Sequence, residues 1–234
     1  MPSATASVHR VRALFVVLRI LVAGAVAAAV IGQLLVSLDF WRSSGVTTIG
    51  SNVTNFFSFF TVESNIAAAV VLLIGAGLAL AGRSHDPLWF AVTRASVTTY
   101  MVVTGVVYNL LLRGIELPQG STLGWSNEVL HVVVPVYLLL DWLFAPGRIR
   151  LGAGRIRPIL VFPIVWVVYT LVRGPFVVDQ LYGNDFWYPY PFLNPNASAN
   201  GYLSVAFYVV LIAAVIGLVA AGLLWISRRR PVGD

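Results

Sequence analysis

A chain of 234 residues that is 59% hydrophobic and only 10% charged, with a mean hydropathy of +0.86, is not a soluble domain, where about 25% of residues carry charge. Its net charge of +6 rests on 15 arginines and no lysine; in a membrane protein such an excess reports orientation, not nucleic-acid binding. With no cysteine there is no disulfide, no thiolate nucleophile and no cysteine-held metal.

Arg10 and Arg12 precede the first apolar run, Leu14 to Leu38. The run exceeds the roughly 7–15 residues of a signal-peptide core, and five more follow, so it reads as an uncleaved helix. The others run from Phe56 to Ala81, Leu88 to Leu112, Glu128 to Phe144, Arg157 to Val172 and Tyr202 to Ile226. Each is near the ~20 residues that cross ~30 Å of hydrocarbon. The predicted fold is therefore an all-α bundle of six transmembrane helices, one domain over residues 1–234, with both termini on one side. Arg10, Arg12, Arg19, Arg83, Arg94, Arg148, Arg150, Arg155, Arg157, Arg228, Arg229 and Arg230 fall on that side, and only Arg42, Arg113 and Arg173 on the other. The positive-inside rule makes the crowded side cytoplasmic. The arginine-only basicity, with heavy Ala, Val and Gly use, suggests a GC-rich bacterial genome and hence an inner-membrane protein.

The loops differ in kind. Loop 4, APGRIRLGAGRIRP, is a basic cytoplasmic connector suited to setting topology and touching anionic lipid. Loop 5, from Gly174 to Gly201, is external and interleaves aromatics with Pro189, Pro191 and Pro195, which forbids a regular helix. Such a loop lies in the headgroup region or covers the bundle as a lid. Sequons at Asn52 and Asn196 fall in external loops. The glycines of LLIGAGLALAG read as helix-packing residues, not a phosphate loop.

The stretch TNFFSFFTVESN carries Thr54, Ser58, Thr61 and Asn65 at offsets of four, three and four, which fall on one helical face. A polar stripe inside a span must face protein or a wet cavity. Counting spans puts Thr61 on the second and His131 on the fourth at one depth, in the outer leaflet. Thr104, Tyr108 and Asn109 on the third span, and Tyr169 and Arg173 at the end of the fifth, converge on that level. Glu63 points away from Thr61. The inner half is almost wholly apolar, with Asp141 expected at its edge, paired with a loop-4 arginine.

This cluster has a chemical reading. A threonine hydroxyl needs a base to become a nucleophile, and neutral histidine is the usual one. Glu128 or Asn127 would orient the imidazole, Asn65, Tyr108 or Asn109 would serve a developing oxyanion, and Arg173 or Tyr169 would hold a free carboxylate. The bland alternative is that buried hydroxyls bond back to their own helix and glue the bundle. With His9 in the tail and His85 in a loop, His131 alone lies within a span. Bis-histidine haem and histidine-held zinc are therefore not expected, and no cofactor or metal is assigned.

Five blocks in order carry a resemblance: FFSFFTVESN (56–65), TGVVYNLLLRG (104–114), HVVVPVYLLLDWLF (131–144), YTLVRG (169–174) and WYPYPFLNP (187–195). Across essentially its whole length the chain resembles the androgen-induced family of six-transmembrane Thr/His lipid hydrolases, most closely its bacterial six-span branch. The resemblance implies hydrolysis of fatty-acid esters of hydroxy fatty acids, with the family threonine at Thr61 and its histidine at His131. The expected partners are a lipid or fatty-acyl ester substrate and membrane lipids. A competing reading from another class is a non-enzymatic lipid binder or carrier using the same outer-leaflet cavity. A carrier needs a polar path to both faces, whereas a hydrolase needs a cavity closed below and open sideways.

Overall fold

The computed structural model describes residues 4–115 and 120–229; Arg230, counted above among the cytoplasmic arginines, lies outside them. In chain order the helices are α1 (Ala4–Ser43), α2 (Ile49–Phe57), α3 (Phe60–Leu80), α4 (Leu88–Val107), α5 (Gly124–Glu128), α6 (Val134–Phe144), α7 (Ile156–Arg173) and α8 (Tyr202–Arg229). A π-helical turn, Tyr108–Leu112, extends α4, and another, Val129–Val133, joins α5 to α6 into one continuous span. Six helices among the described residues are long and apolar enough to cross a membrane. They contain no strand beyond an isolated bridge between Asp179 and Asn184. The architecture is that of a six-span, all-α, multi-pass membrane protein.

The boundaries move where local sequence permits. The first helix already runs from Ala4, because no Pro or Gly lies between Ala4 and Gly24 to stop a helix once it is nucleated downstream. The fourth span begins at Gly124, a turn earlier than its hydropathy suggests. The third span sits at the centre, packed on α3, α6, α7 and α8. Phe90, Met101, Leu138, Trp142, Ile159 and Leu72 are fully enclosed there. Between helices already in lipid such packing is held by van der Waals contact and hydrogen bonds, not by water exclusion.

Two prolines shape the bundle by withholding a donor. Pro163 lies inside α7 and cannot bond the carbonyl of Ile159, four residues back. Tyr100 Oη of the third span donates to that carbonyl at 2.7 Å instead. Pro135 at the start of α6 likewise releases the carbonyl of His131, which Asn109 Nδ2 reaches at 3.4 Å. Gly105 allows this approach, since a Cβ there would stand 3.0 Å from Pro135 Cβ and 3.3 Å from the His131 carbonyl.

The inner half differs from the sequence expectation. Asp141 does not pair with a loop-4 arginine: its carboxylate accepts from Arg19 Nε of α1 at 2.8 Å and from Arg94 Nε of α4 at 3.0 Å. Arg94 also binds Asp86 at 2.8 Å. Arg19, Arg94 and Asp141 are all buried, so the inner half holds an ionic staple joining three spans. Gly75 makes room for it, because a Cβ there would meet Arg19 Nη1 at 3.0 Å, while Gly77 faces open space. The loop-4 residue Arg148 is buried instead against the carbonyls of Trp142 and Leu143.

Candidate functional site

The polar stripe is not one helix face. Helix α2 ends at Phe57, Phe59 is extended with φ −70° and ψ 128°, and α3 restarts at Phe60. Thr54 is exposed on α2, its hydroxyl bonding back to Gly50 O at 3.0 Å, and so leaves the stripe. The break is held by side chains from elsewhere. Trp166 Nε1 donates to the freed carbonyl of Ser58 at 3.0 Å. The Ser58 hydroxyl donates to Thr54 O at 2.7 Å and meets Tyr169 Oη at 2.9 Å. Arg173 Nη2 donates to Asn55 Oδ1 at 2.7 Å. Ser58, Tyr169 and Arg173 therefore brace the break and do not touch Thr61.

The restart puts Thr61 in the first turn of α3, where backbone N–H groups have no partner within the helix and the helix dipole is positive. Tyr190, from loop 5, fills that need. Thr61 N donates to Tyr190 Oη at 3.3 Å, and the two hydroxyls lie 3.3 Å apart. On the other side Thr61 Oγ1 is 3.2 Å from His131 Nε2. His131 Nδ1 lies 2.9 Å from the carbonyl of Asn127. A carbonyl only accepts, so Nδ1 carries the proton and Nε2 presents its lone pair to Thr61. One consistent set of roles results: Thr61 donates to His131, and Tyr190 donates to Thr61 Oγ1 while accepting from Thr61 N–H.

Packing locks the imidazole. The ring of Tyr108, from the π turn of the third span, stacks on His131 at 3.9 Å and 22°, and its hydroxyl takes a hydrogen bond from Asn127 Nδ2. The orienting group for His131 is thus the backbone of Asn127. Glu128 is half-exposed and bound to Arg113 at 2.8 Å. Asn65 Nδ2 donates to Thr61 O at 2.9 Å and Leu130 O at 3.2 Å, tying α3 to the fourth span. Asn109 is exposed and bonds Gly105 O. Asn65, Tyr108 and Asn109 are thereby committed to holding the helices, not to facing the Thr61 hydroxyl. Thr104 is buried near Ser64, their hydroxyls 3.4 Å apart.

Thr61 stands between two cavities. The larger, about 240 Å³, is walled by Phe60 and Thr61, by Val103, Thr104, Val107 and Tyr108 of the third span, and by residues of α7 and α8. Tyr190, Phe192 and Leu193 of loop 5 roof it, so the loop covers the bundle. Its wall is apolar apart from Thr61, Thr104 and the tyrosine hydroxyls. It includes Ile164 of α7, which is 57% exposed on the outside of the bundle. No member of the ionic staple lines it, nor does Arg173, Tyr169 or Glu63. The smaller, about 50 Å³, lies on the far side, among Gln33, Val62, Thr122, Ser126, Asn127 and His131. His131 lines the second cavity and not the first.

Tyr190 is the residue that sequence reasoning missed. Its only signal was its place in WYPYPF, a loop read as lid or interface without a role for any one side chain. Gly174 lets that loop fold back, since a Cβ there would overlap the Tyr188 ring at 2.3 Å, and Trp187 N donates to Gly174 O at 2.9 Å. No group of three or more metal-ligating side chains occurs among the described residues. Comparison with protein-family models, curated proteins and solved structures finds no match for this chain.

Proposed function

We propose that this chain is an intramembrane hydrolase of a lipidic ester, of the kind the resemblance to the androgen-induced Thr/His hydrolases implies. The observation that carries the reading is the 3.2 Å contact between Thr61 Oγ1 and His131 Nε2 at the wall of an apolar cavity, with Nδ1 tied to a carbonyl. Unlike Thr54, whose hydroxyl bonds back to its own helix, Thr61 faces a base whose tautomer is set.

In this reading the acyl chain lies in the large cavity and its ester carbonyl meets Thr61. As Oγ1 attacks, its proton passes to His131 Nε2. The Tyr190 hydroxyl, until then bonded to Oγ1, turns to the developing oxyanion, alongside the Thr61 N–H at the positive end of α3. His131 then protonates the departing alkoxide, leaving an acyl ester on Thr61 that water hydrolyses. The cavity wall holds no cationic side chain, which favours a neutral chain inside it over the free carboxylate assigned earlier to Arg173 or Tyr169. The exposed Ile164 supports lateral entry from lipid between the fifth and sixth spans. No polar path joins the cavity to the inner staple, which weighs against a carrier. The arginine bias supports a bacterial inner membrane as the setting, with both termini cytoplasmic.

The test is labelling of the membrane-embedded protein by an alkyl fluorophosphonate. The wild type is expected to label at Thr61, and both Thr61→Ala and His131→Ala to abolish it. Labelling that survives Thr61→Ala removes Thr61 as the nucleophile.

A further inference from the structure

We infer that the small cavity behind His131 is the water chamber of this site, separate from the chamber that takes the acyl chain. The inference rests on the hydrolase reading and adds the place from which the second substrate, water, arrives.

Size and lining carry it. About 50 Å³ suits one or two waters, given a share of roughly 30 Å³ each in the liquid, and is too small for a lipid chain. Its wall supplies Thr61 and His131, with Asn127, Ser126, Thr122 and Gln33. Water needs two to four polar partners to settle in a protein, and apolar cavities stay dry. The large cavity is mostly apolar-walled and would be filled by the acyl chain at the moment water is required. Tyr108 covers one face of the imidazole, and the small cavity takes the side His131 leaves open. Thr122 in its wall is exposed on the loop before α5, so the chamber reaches the outer aqueous face. The lipid substrate and the water thus approach Thr61 from opposite sides.

The chemistry closes. With Thr61 acylated, a water in the chamber gives a proton to His131 Nε2 as its oxygen bonds the acyl carbon. The tetrahedral centre collapses, the carbon–Oγ1 bond breaks, and His131 returns the proton to Oγ1. The products are a free carboxylic acid and the original threonine.

The test uses the full chain in detergent micelles with p-nitrophenyl octanoate as probe. Val62→Leu narrows the chamber without touching the large cavity, and Thr122→Val removes a polar group at its mouth while keeping shape. Both are expected to keep the initial burst of nitrophenolate while the steady rate falls at least tenfold, with octanoyl-Thr61 accumulating by mass spectrometry. Wild-type steady rates in both variants overturn the chamber. So does an equal fall of burst and steady rate in both, because the change then acts on acylation. A wild-type protein that shows no burst, no octanoyl-Thr61 and no fluorophosphonate label overturns the hydrolase reading itself.

Discussion

Tyr190 is where the residue scale departs furthest from expectation. Asn65 and Asn109, nearer in motif, spend their amide N–H groups on helix carbonyls, and the Tyr108 hydroxyl is taken by Asn127. Tyr190 hydrogen-bonds both the backbone N–H and the hydroxyl of Thr61. Burial pushes its phenol up to about 12; an acid so raised keeps its proton, so it remains a donor through neutral and moderately alkaline pH. Tyr190→Phe is therefore expected to slow fluorophosphonate labelling about 10²–10³-fold, the usual cost of one oxyanion donor, with the melting temperature nearly unchanged. An unchanged labelling rate would remove Tyr190 from the chemistry. His131→Gln should abolish labelling too: the amide can still bond Thr61 but takes no proton.

At the scale of elements, the site depends on three departures from regular helix: the break before Phe60 and the two π turns. Only the turn beside Pro135 left a cue in the sequence. FFSFF contains no Pro or Gly, and its break is held by Trp166, Tyr190 and the Arg173–Asn55 bond, all supplied across the bundle. The π turn that carries His131 runs directly into Pro135, a visible cue, but the width of the turn depends on Asn109 and Gly105 of the facing span. Gly105→Val should push the third and fourth spans apart. The expected result is loss of labelling with helical circular dichroism unchanged. Gly174→Val should drive Tyr188 off its seat and loosen loop 5, seen as faster proteolysis in that loop together with weaker labelling.

Over the whole molecule, the outer half carries the candidate chemistry and the inner half carries the staple. Asp141→Asn leaves Arg19 without its carboxylate and Arg94 with Asp86 alone, both arginines buried. Removing one partner of a buried ionic group costs roughly 3–5 kcal/mol, so a clear drop in the melting temperature in detergent is expected. Arg113→Ala at the exposed rim should leave it unchanged, because solvent screens that pair. Orientation is testable because the chain has no cysteine. A membrane-impermeant maleimide applied to intact cells should label Asn196→Cys and spare Gly154→Cys, both positions being exposed. The reverse pattern would invert the assigned topology.

What the sequence by itself determined is the number and approximate extent of the spans and the side on which arginine gathers. Transfer of side chains to lipid is close to additive along a chain, so composition within a window is enough for both. It also put Thr61 and His131 at one depth, because helical rise converts residue count into height. Only the tertiary structure decided that the two are hydrogen bonded, that an Asn127 carbonyl sets the histidine tautomer, that Tyr190 closes the other side and that Asp141 pairs with Arg19 and Arg94. Each of these is a contact between groups from different spans or from a loop and a span, or a backbone turn shaped by a neighbouring span. Its energy depends on which helices adjoin and how they are rotated, and hydropathy is blind to rotation.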